Sequence, residues 1–393
     1  MPKIKEKAPA VGRPAGAKKG VRQHPDRVKP IISQAKMQEE VTEQASLTSV
    51  LENEFIPRRL LSEKLSNIYY HLGRTQLNKD ELFKYAEKIN GQGKEFRFNF
   101  MQHSLRCREC GTLLEFAFED GNMNGKPKLY NANFCKDRLC PMCSRRRSLK
   151  IFGQVSRIMD VIGDDYLFLF LTLTVPNVPA EALSETLNRL NKAFSKLLQY
   201  SAVQKVVEGY FRALEVTYNT SRNDYHPHFH CILAVPKSYT KSRDYIKRDK
   251  WLELWRKAYK DESITQLDVR LCRNKHVEES EVDSAEALKS AVAEVAKYAV
   301  KLDLDSMSAD VIKTLALCLA DRRLAVFDRE KAFGKTVQKL KLDDAESETA
   351  DLVHLDEINP HVALMIVQMS WTCGAYKITR IRTKGPNEEE TES

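Results

Sequence analysis

A chain of 393 residues with 42% apolar and 30% charged side chains is long enough for two domains and apolar enough to bury a core. Its net charge of +9 favours a polyanionic partner, nucleic acid first, over an anionic membrane, since no stretch reads as a basic amphipathic helix with a clean apolar face. Residues 1–7 lack the apolar core of a signal peptide, and the apolar run around Leu167 to Leu171 is too short to span a bilayer. Nine cysteines without a secretion signal read as metal ligands rather than disulfides, so a soluble, cytoplasmic protein without membrane contact is expected.

Residues 1–45 are rich in Lys, Arg, Pro, Gly and Ala and poor in large apolar side chains, which predicts a disordered basic arm. Gly12-Arg13-Pro14 with Lys18 and Lys19 suits an A·T-rich minor groove, but so short a match carries little more than a generic basic tail does. Leu60, Leu61, Leu65, Ile68 and Tyr69 recur at helical spacing and predict a helix over residues 54–91. It opens a helical and cysteine-rich region spanning residues 53–150. Cys107 with Cys110, and Cys140 with Cys143, form two Cys-x-x-Cys knuckles at the spacing tetrahedral zinc takes. Cys135 is a fifth candidate, which leaves the set of four open. Arg145, Arg146, Arg147 and Lys150 follow at once, a basic helix start fit for phosphate contacts. A structural zinc module that helps dock DNA is expected here, while Cys231, Cys272, Cys318 and Cys373 read as packed.

Beyond it the pattern predicts a helix over 149–162, a strand over 166–175 stopped by Pro176-Asn177, and a helix over 181–200. A strand over 209–218, turn residues 219–224 and a second strand to Val235 predict an antiparallel hairpin. A helix at 251–259, a strand at 266–271, an Ala-rich helix at 284–302 and a helix at 309–322 follow. Residues 337–342 and 370–381 are less readable, and residues 387–393 form an acidic tail. Antiparallel strands with intervening helices make the class α+β.

Three histidines fall within five residues in Tyr225-His226-Pro227-His228-Phe229-His230. On a strand, alternate side chains share a face, so His228 and His230 project together and form half of a metal site. The alternative is a solvated polar face with two incidental histidines. Glu215 is the acidic residue of the otherwise apolar strand before it, and hairpin pairing would set it across from the histidines as a third ligand. A strand-end Glu paired with Arg212 or a Lys is the competing account. On the 284–302 helix, Glu294, Tyr298 and Lys301 share one face: a base, a nucleophile and a cation one turn apart. Taken alone, Tyr-x-x-Lys is a weak signal, since a core Tyr beside a snorkelling surface Lys gives the same pattern.

Taken in order, Phe170-Leu171-Thr172-Leu173-Thr174, Ala213-Leu214-Glu215-Val216-Thr217-Tyr218, His226-Pro227-His228-Phe229-His230 and Tyr298-Ala299-Val300-Lys301 resemble rolling-circle replication initiators of small plasmids, the single-tyrosine branch of the HUH endonucleases. The resemblance spans roughly residues 105–340. It implies an antiparallel sheet core flanked by helices at 151–305, with 306–386 packing on or completing it. It also implies that His228 and His230, helped by Glu215, hold Mn or Mg, that Tyr298 attacks a phosphodiester, that Lys301 stabilises the developing charge and that Glu294 activates water at termination. Plasmid origin DNA is the implied partner, with a host helicase, a single-strand-binding protein and a homo-oligomer by analogy. A relaxase or a single-tyrosine transposase shares this chemistry, and a zinc-dependent DNA-binding regulator without nuclease activity is the alternative of another class.

Overall fold

The computed structural model describes residues 46–75, 98–119, 121, 123, 125–272, 292–294, 296, 303–320 and 322–386. The expectations for residues 1–45 and 387–393, for the first helix beyond residue 75 and for most of the 284–302 helix lie outside them.

The described chain starts with α1 (Ile56–Arg74), entered through a short helix, Leu47–Val50, and a π-helical turn, Leu51–Phe55. After α2 (Phe100–Glu109), whose Asn99 cap accepts from the Gln102 amide at 3.1 Å, come β1 (Leu113–Glu119) and β2 (Lys128–Ala132). Next are α3 (Pro141–Ile162), β3 (Tyr166–Thr174), α4 (Ala180–Leu197), β4 (Gly209–Asn219), β5 (Asp224–Pro236), α5 (Arg248–Tyr259) and β6 (Leu267–Cys272). The chain then runs through α6 (Ala309–Leu319), β7 (Ala325–Phe327), α7 (Ala332–Lys339), β8 (Leu364–Thr372) and β9 (Ala375–Lys384). Helices and two wholly antiparallel sheets give the α+β class.

The five-stranded sheet has the order β6-β3-β5-β4-β7, so β5 is its middle strand. β4 and β5 form the expected hairpin, in register from Gly209↔Ala234 to Asn219↔Asp224. Its turn is closed by Asn219 accepting from the Arg222 amide at 2.9 Å, with Asn223 at φ 52°, a left-handed conformation that Asn tolerates better than most residues. Beyond the histidines both faces of β5 are covered. Ile232 and Ala234 join Phe168, Phe170 and Phe211 beneath Ile151, Val155 and Ile158 of α3 and Phe333 of α7. Phe229, Cys231, Leu233 and Val235 pack on the other side against Leu183, Leu187 and Phe194 of α4 and Trp251 and Trp255 of α5. Continuous apolar runs on β3 and β5 follow from this two-sided burial.

The second sheet, β2-β1-β8-β9, joins distant parts of the chain. β1 pairs with β8 from Leu113↔Ser370 to Glu119↔Leu364. The segment after residue 306 therefore divides: β7 adds an edge to the five-stranded sheet, α7 covers it, and the β8–β9 hairpin completes the sheet beside the cysteine-rich region. The weak pattern at 370–381 reflects β9, whose Lys and Arg side chains alternate along an open edge with little burial to impose a period.

α7 enters through a tight corner. Asp328 accepts from the amides of Lys331, Gly334 and Tyr210, tying β7, β4 and the helix start together. A Cβ on Gly334 would stand 2.5 Å from the carbonyl carbon and oxygen of Arg329, whereas one on Gly153 in α3 would meet nothing within 4 Å. Gly334→Ala is expected to cost about 3 kcal/mol by overpacking, and Gly153→Ala to gain about 0.5–1 kcal/mol by removing helix-interior glycine. Chemical denaturation midpoints of the two variants, moving in opposite directions from the parent, check this.

Candidate active site

The pairing of three strands builds the site. Glu215 on β4 lies opposite His228 on β5, and Thr172 and Thr174 on β3 lie opposite His230 and His228. His228 Nε2 and His230 Nε2 are 3.1 Å apart, and Glu215 Oε2 lies 3.0 Å from the latter and 3.4 Å from the former. Ligands about 2.0–2.1 Å from an octahedral cation sit about 2.9–3.0 Å apart along a cis edge, so the three atoms fit a divalent ion. The outer nitrogens are held as well: His228 Nδ1 donates to the His226 carbonyl at 3.2 Å, and His230 Nδ1 meets Thr172 Oγ1 at 3.3 Å. The first bond puts the proton on Nδ1 and turns the Nε2 lone pair of His228 inward, the tautomer a metal ligand needs.

Burial alone would raise the Glu215 carboxyl, but hydrogen bonds and attraction from the two histidines outweigh it and hold it well below the usual carboxylate range. Burial first, and then the neighbouring His228, lowers His226 from the usual imidazole range. Phe170 lines the same face, its ring 5.6 Å from that of His230.

A turn of helix lies over this face. Val292 and Ala296 are buried with Phe170 and Ile232, joined by an Ala296 N–H to Val292 carbonyl bond of 2.9 Å. Between them Glu294 brings Oε1 to 3.7 Å from His230 Nε2. Glu215, His228, His230 and Glu294 are thus gathered at one point, while Tyr298 and Lys301 lie outside the described residues. Thr172, which strand alternation in Thr172-Leu173-Thr174 would have exposed, and the His226 carbonyl are additions to the expected set.

The cysteines form a second cluster. Sγ separations are 3.5 Å for Cys110–Cys140, 3.6 Å for Cys110–Cys143 and 3.7 Å for Cys135–Cys143. Four sulfurs about 2.3 Å from a tetrahedral ion are about 3.8 Å apart. Cys110, Cys135, Cys140 and Cys143 therefore make a mutual set that could hold a metal, with Cys107 at its margin, 4.0 Å from Cys135. Three backbone amides point at the sulfurs: Cys135 to Cys110 at 3.4 Å, Lys136 to Cys143 at 3.1 Å and Asp137 to Cys135 at 3.4 Å. Lys136 itself has φ 59°, a left-handed conformation within this loop. Burial would push the Cys135 thiol up, but bonds from neighbouring thiols bring it down to about 7. Asp137 fixes the loop, accepting from the amides of Leu139 at 2.8 Å and Cys140 at 3.2 Å and facing His103 Nδ1.

The expected phosphate-contact row at the start of α3 is used internally. Arg145 makes a paired bond to Glu54, Arg146 donates to the carbonyls of Leu352 and Val353, and Arg147 to those of Lys136 and Asp137. Lys150 bonds Asp343 and the Asp351 carbonyl. Arg147 and Lys150 are buried. A run of cations after a knuckle signals charge, but only the fold shows that carbonyls and carboxylates already surround it.

Residues 126–376 match the family model described as Replication protein. The chain is 38% identical over 274 residues to a "Protein rep" of Bacillus amyloliquefaciens, covering 66% of this chain and 78% of that protein. It is 31% identical over 313 residues to a "Protein rep" of Streptococcus pneumoniae, covering 78% and 85% respectively. A "Protein rep" of Staphylococcus aureus is 42% identical over 174 residues, 44% of this chain and 75% of that protein. No solved structure matches significantly. Among the described residues no helix is long and apolar enough to cross a membrane.

Elemental analysis of the purified chain is expected to find a thiolate-held metal ion that Cys143→Ser and Cys135→Ser lose and Cys107→Ser keeps. Loss in Cys107→Ser alone would exchange the fifth cysteine for one of the four.

Proposed function

The chain belongs to the replication protein family, the plasmid replication initiators that its motifs resemble, and from that premise we propose that it starts rolling-circle replication by nicking one strand of its plasmid origin. The observation that carries this reading is the convergence of His228, His230 and Glu215 within 3.4 Å, with Glu294 beside them. His228, His230 and Glu215 would hold the divalent ion, Mn or Mg, and Thr172 and the His226 carbonyl orient the rings. That ion supplies Lewis acidity toward a phosphodiester oxygen.

The Tyr298 hydroxyl is the nucleophile, four residues after Glu294 in the sequence. Its oxygen forms a bond to phosphorus, the bond from phosphorus to the 3′ oxygen breaks, and the 3′ oxygen leaves as a hydroxyl that primes synthesis. The strand stays attached through its 5′ phosphate to Tyr298 until it is rejoined or released. Lys301 offsets charge developing on the phosphate. Glu294, a carboxylate at the edge of the site, takes the proton from the water that ends the cycle. The thiol cluster, with zinc as its ion, is structural: every sulfur of the set is buried, so no open coordination position faces solvent. Origin DNA is the partner, and a host helicase and single-strand-binding protein act on the product in the cytoplasm.

Supercoiled DNA carrying the cognate origin, incubated with Mn or Mg, should yield a covalent adduct that maps to Tyr298. Tyr298→Phe should reduce nicking to background and leave duplex binding nearly intact; retained nicking would move the nucleophile elsewhere. His228→Ala with His230→Ala should slow cleavage by about 100-fold or more, with unchanged rates discarding the metal site. Glu294→Ala should keep the first cleavage and impair water-dependent release. Binding without an adduct under any metal would favour a DNA-binding regulator.

A further inference from the structure

Among the described residues, positive charge gathers on the side of the five-stranded sheet away from the histidines. Residues 186–205 carry four cationic side chains and no acidic one, after Glu181 and Glu185 in the first turns of α4, and residues 237–260 carry nine against three. These stretches include most of α4 and all of α5, the helices that pack on the Phe229, Cys231 and Leu233 face. Because Leu190, Phe194, Trp251 and Trp255 take the inward positions, Arg189, Lys192, Lys196, Lys247, Lys257 and Lys260 are left exposed on the outer side.

The two helices merge their charge into one surface. Lys196 from α4 and Lys257 from α5 both lie over the Tyr200 ring, at 5.8 and 5.4 Å. Arg189 lies 4.1 Å over the Tyr259 ring and donates to the Tyr259 carbonyl at 2.8 Å. A shallow groove of about 400 Å³ follows α4, lined by Asn191, Lys192, Ser195, Lys196 and Gln199, all polar. Lys250 is neutralised by Glu253 at 2.6 Å, but among the described residues Lys192, Lys196 and Lys257 are in no ion pair. Gathered like charges repel one another and raise the free energy of the isolated fold, so the arrangement fits a polyanion that lies across it.

The chemistry of the face separates duplex from single strand. Single strands are held by stacking bases on open aromatic rings. Here Tyr200 is covered by two ammonium groups and Tyr259 by a guanidinium, so the rings are occupied and what faces solvent is ammonium and amide. Lysine point charges on this helix pair match backbone phosphates and carry little base readout. We propose that the outer face of α4 and α5 is a second nucleic-acid surface, which grips duplex DNA through its phosphates while the histidine side of the sheet acts on the strand to be cut. This rests on the nicking reading given above for the division of labour, though not for the binding itself.

The test compares the full chain with the triple variant Lys192→Glu, Lys196→Glu, Lys257→Glu and with the same three positions changed to Gln. Affinity for a labelled mixed-sequence duplex is measured across a salt series, and cleavage is measured on a single-stranded oligonucleotide spanning the origin nick. Both triples should bind duplex at least about tenfold more weakly with a salt slope shallower by about three, and cleave the oligonucleotide at the parental rate. Parental duplex affinity and slope in the Gln triple, with an unchanged thermal midpoint, would overturn the proposal. An equal loss of affinity for a mixed-sequence single strand would overturn the duplex assignment. Failure of the parent itself to cleave counts against the nicking reading and leaves the duplex comparison standing.

Discussion

Three atoms with lone pairs meet at the middle of a sheet, and this unfavourable encounter organises the protein around it. The His226 carbonyl fixes one histidine with its lone pair inward, and the histidines hold the Glu215 carboxyl well below the usual carboxylate range, so electron-rich atoms face one another across a space about 3 Å wide. Such a cluster survives only on backbone that cannot relax. β5 supplies that backbone, with hydrogen-bonded neighbours on both sides and helices on both faces. The polar stretch falls at the start of the strand, ahead of the apolar packing of Ile232 and Ala234.

The hairpin, Glu215 and the two histidines were legible because strand period and register are local properties. A two-residue alternation on one strand and a short turn to the next determine which side chains share a face. The thiol cluster was legible in composition but not in membership. Cys135 enters the set of four in a loop where Lys136 adopts a left-handed conformation, which nothing in the residue type announces. The four-stranded sheet was not legible, since β1 owes its pairing to residues some 250 positions away and sequence windows hold no such information. The basic run at 145–150 misled for a related reason: charge is written in the sequence, but the carboxylates and carbonyls that absorb it arrive from residues 54, 343 and 352.

α3 couples the two clusters mechanically. Its N-cap is Cys140, Cys143 lies in its first turn, and its later residues Ile151, Val155 and Ile158 press on the face that carries the histidines. A helix of 22 residues is about 33 Å long and does not bend easily, so the thiol cluster sets where the rod begins and the sheet sets where it ends. The internal bonds of Arg145, Arg146, Arg147 and Lys150 fasten the rod along its first half. In that light the cations at the helix start serve positioning.

The pairing of β1 with β8 also has a consequence for synthesis. A ribosome delivers residues 107–143, with the five clustered cysteines, long before residues 364–384 emerge. During that interval β1 has β2 on one side and an open edge on the other, a row of unpaired amides and carbonyls beside Phe116 and Phe118. The closing partner arrives last, across one of the longest loops the chain can form, and long-range pairing of this kind is costly in loop entropy and leaves an edge open to other strands until it is made. A chain interrupted before residue 364 would retain every ligand of both clusters named above, yet lack the strand that keeps β1 from seeking a neighbour.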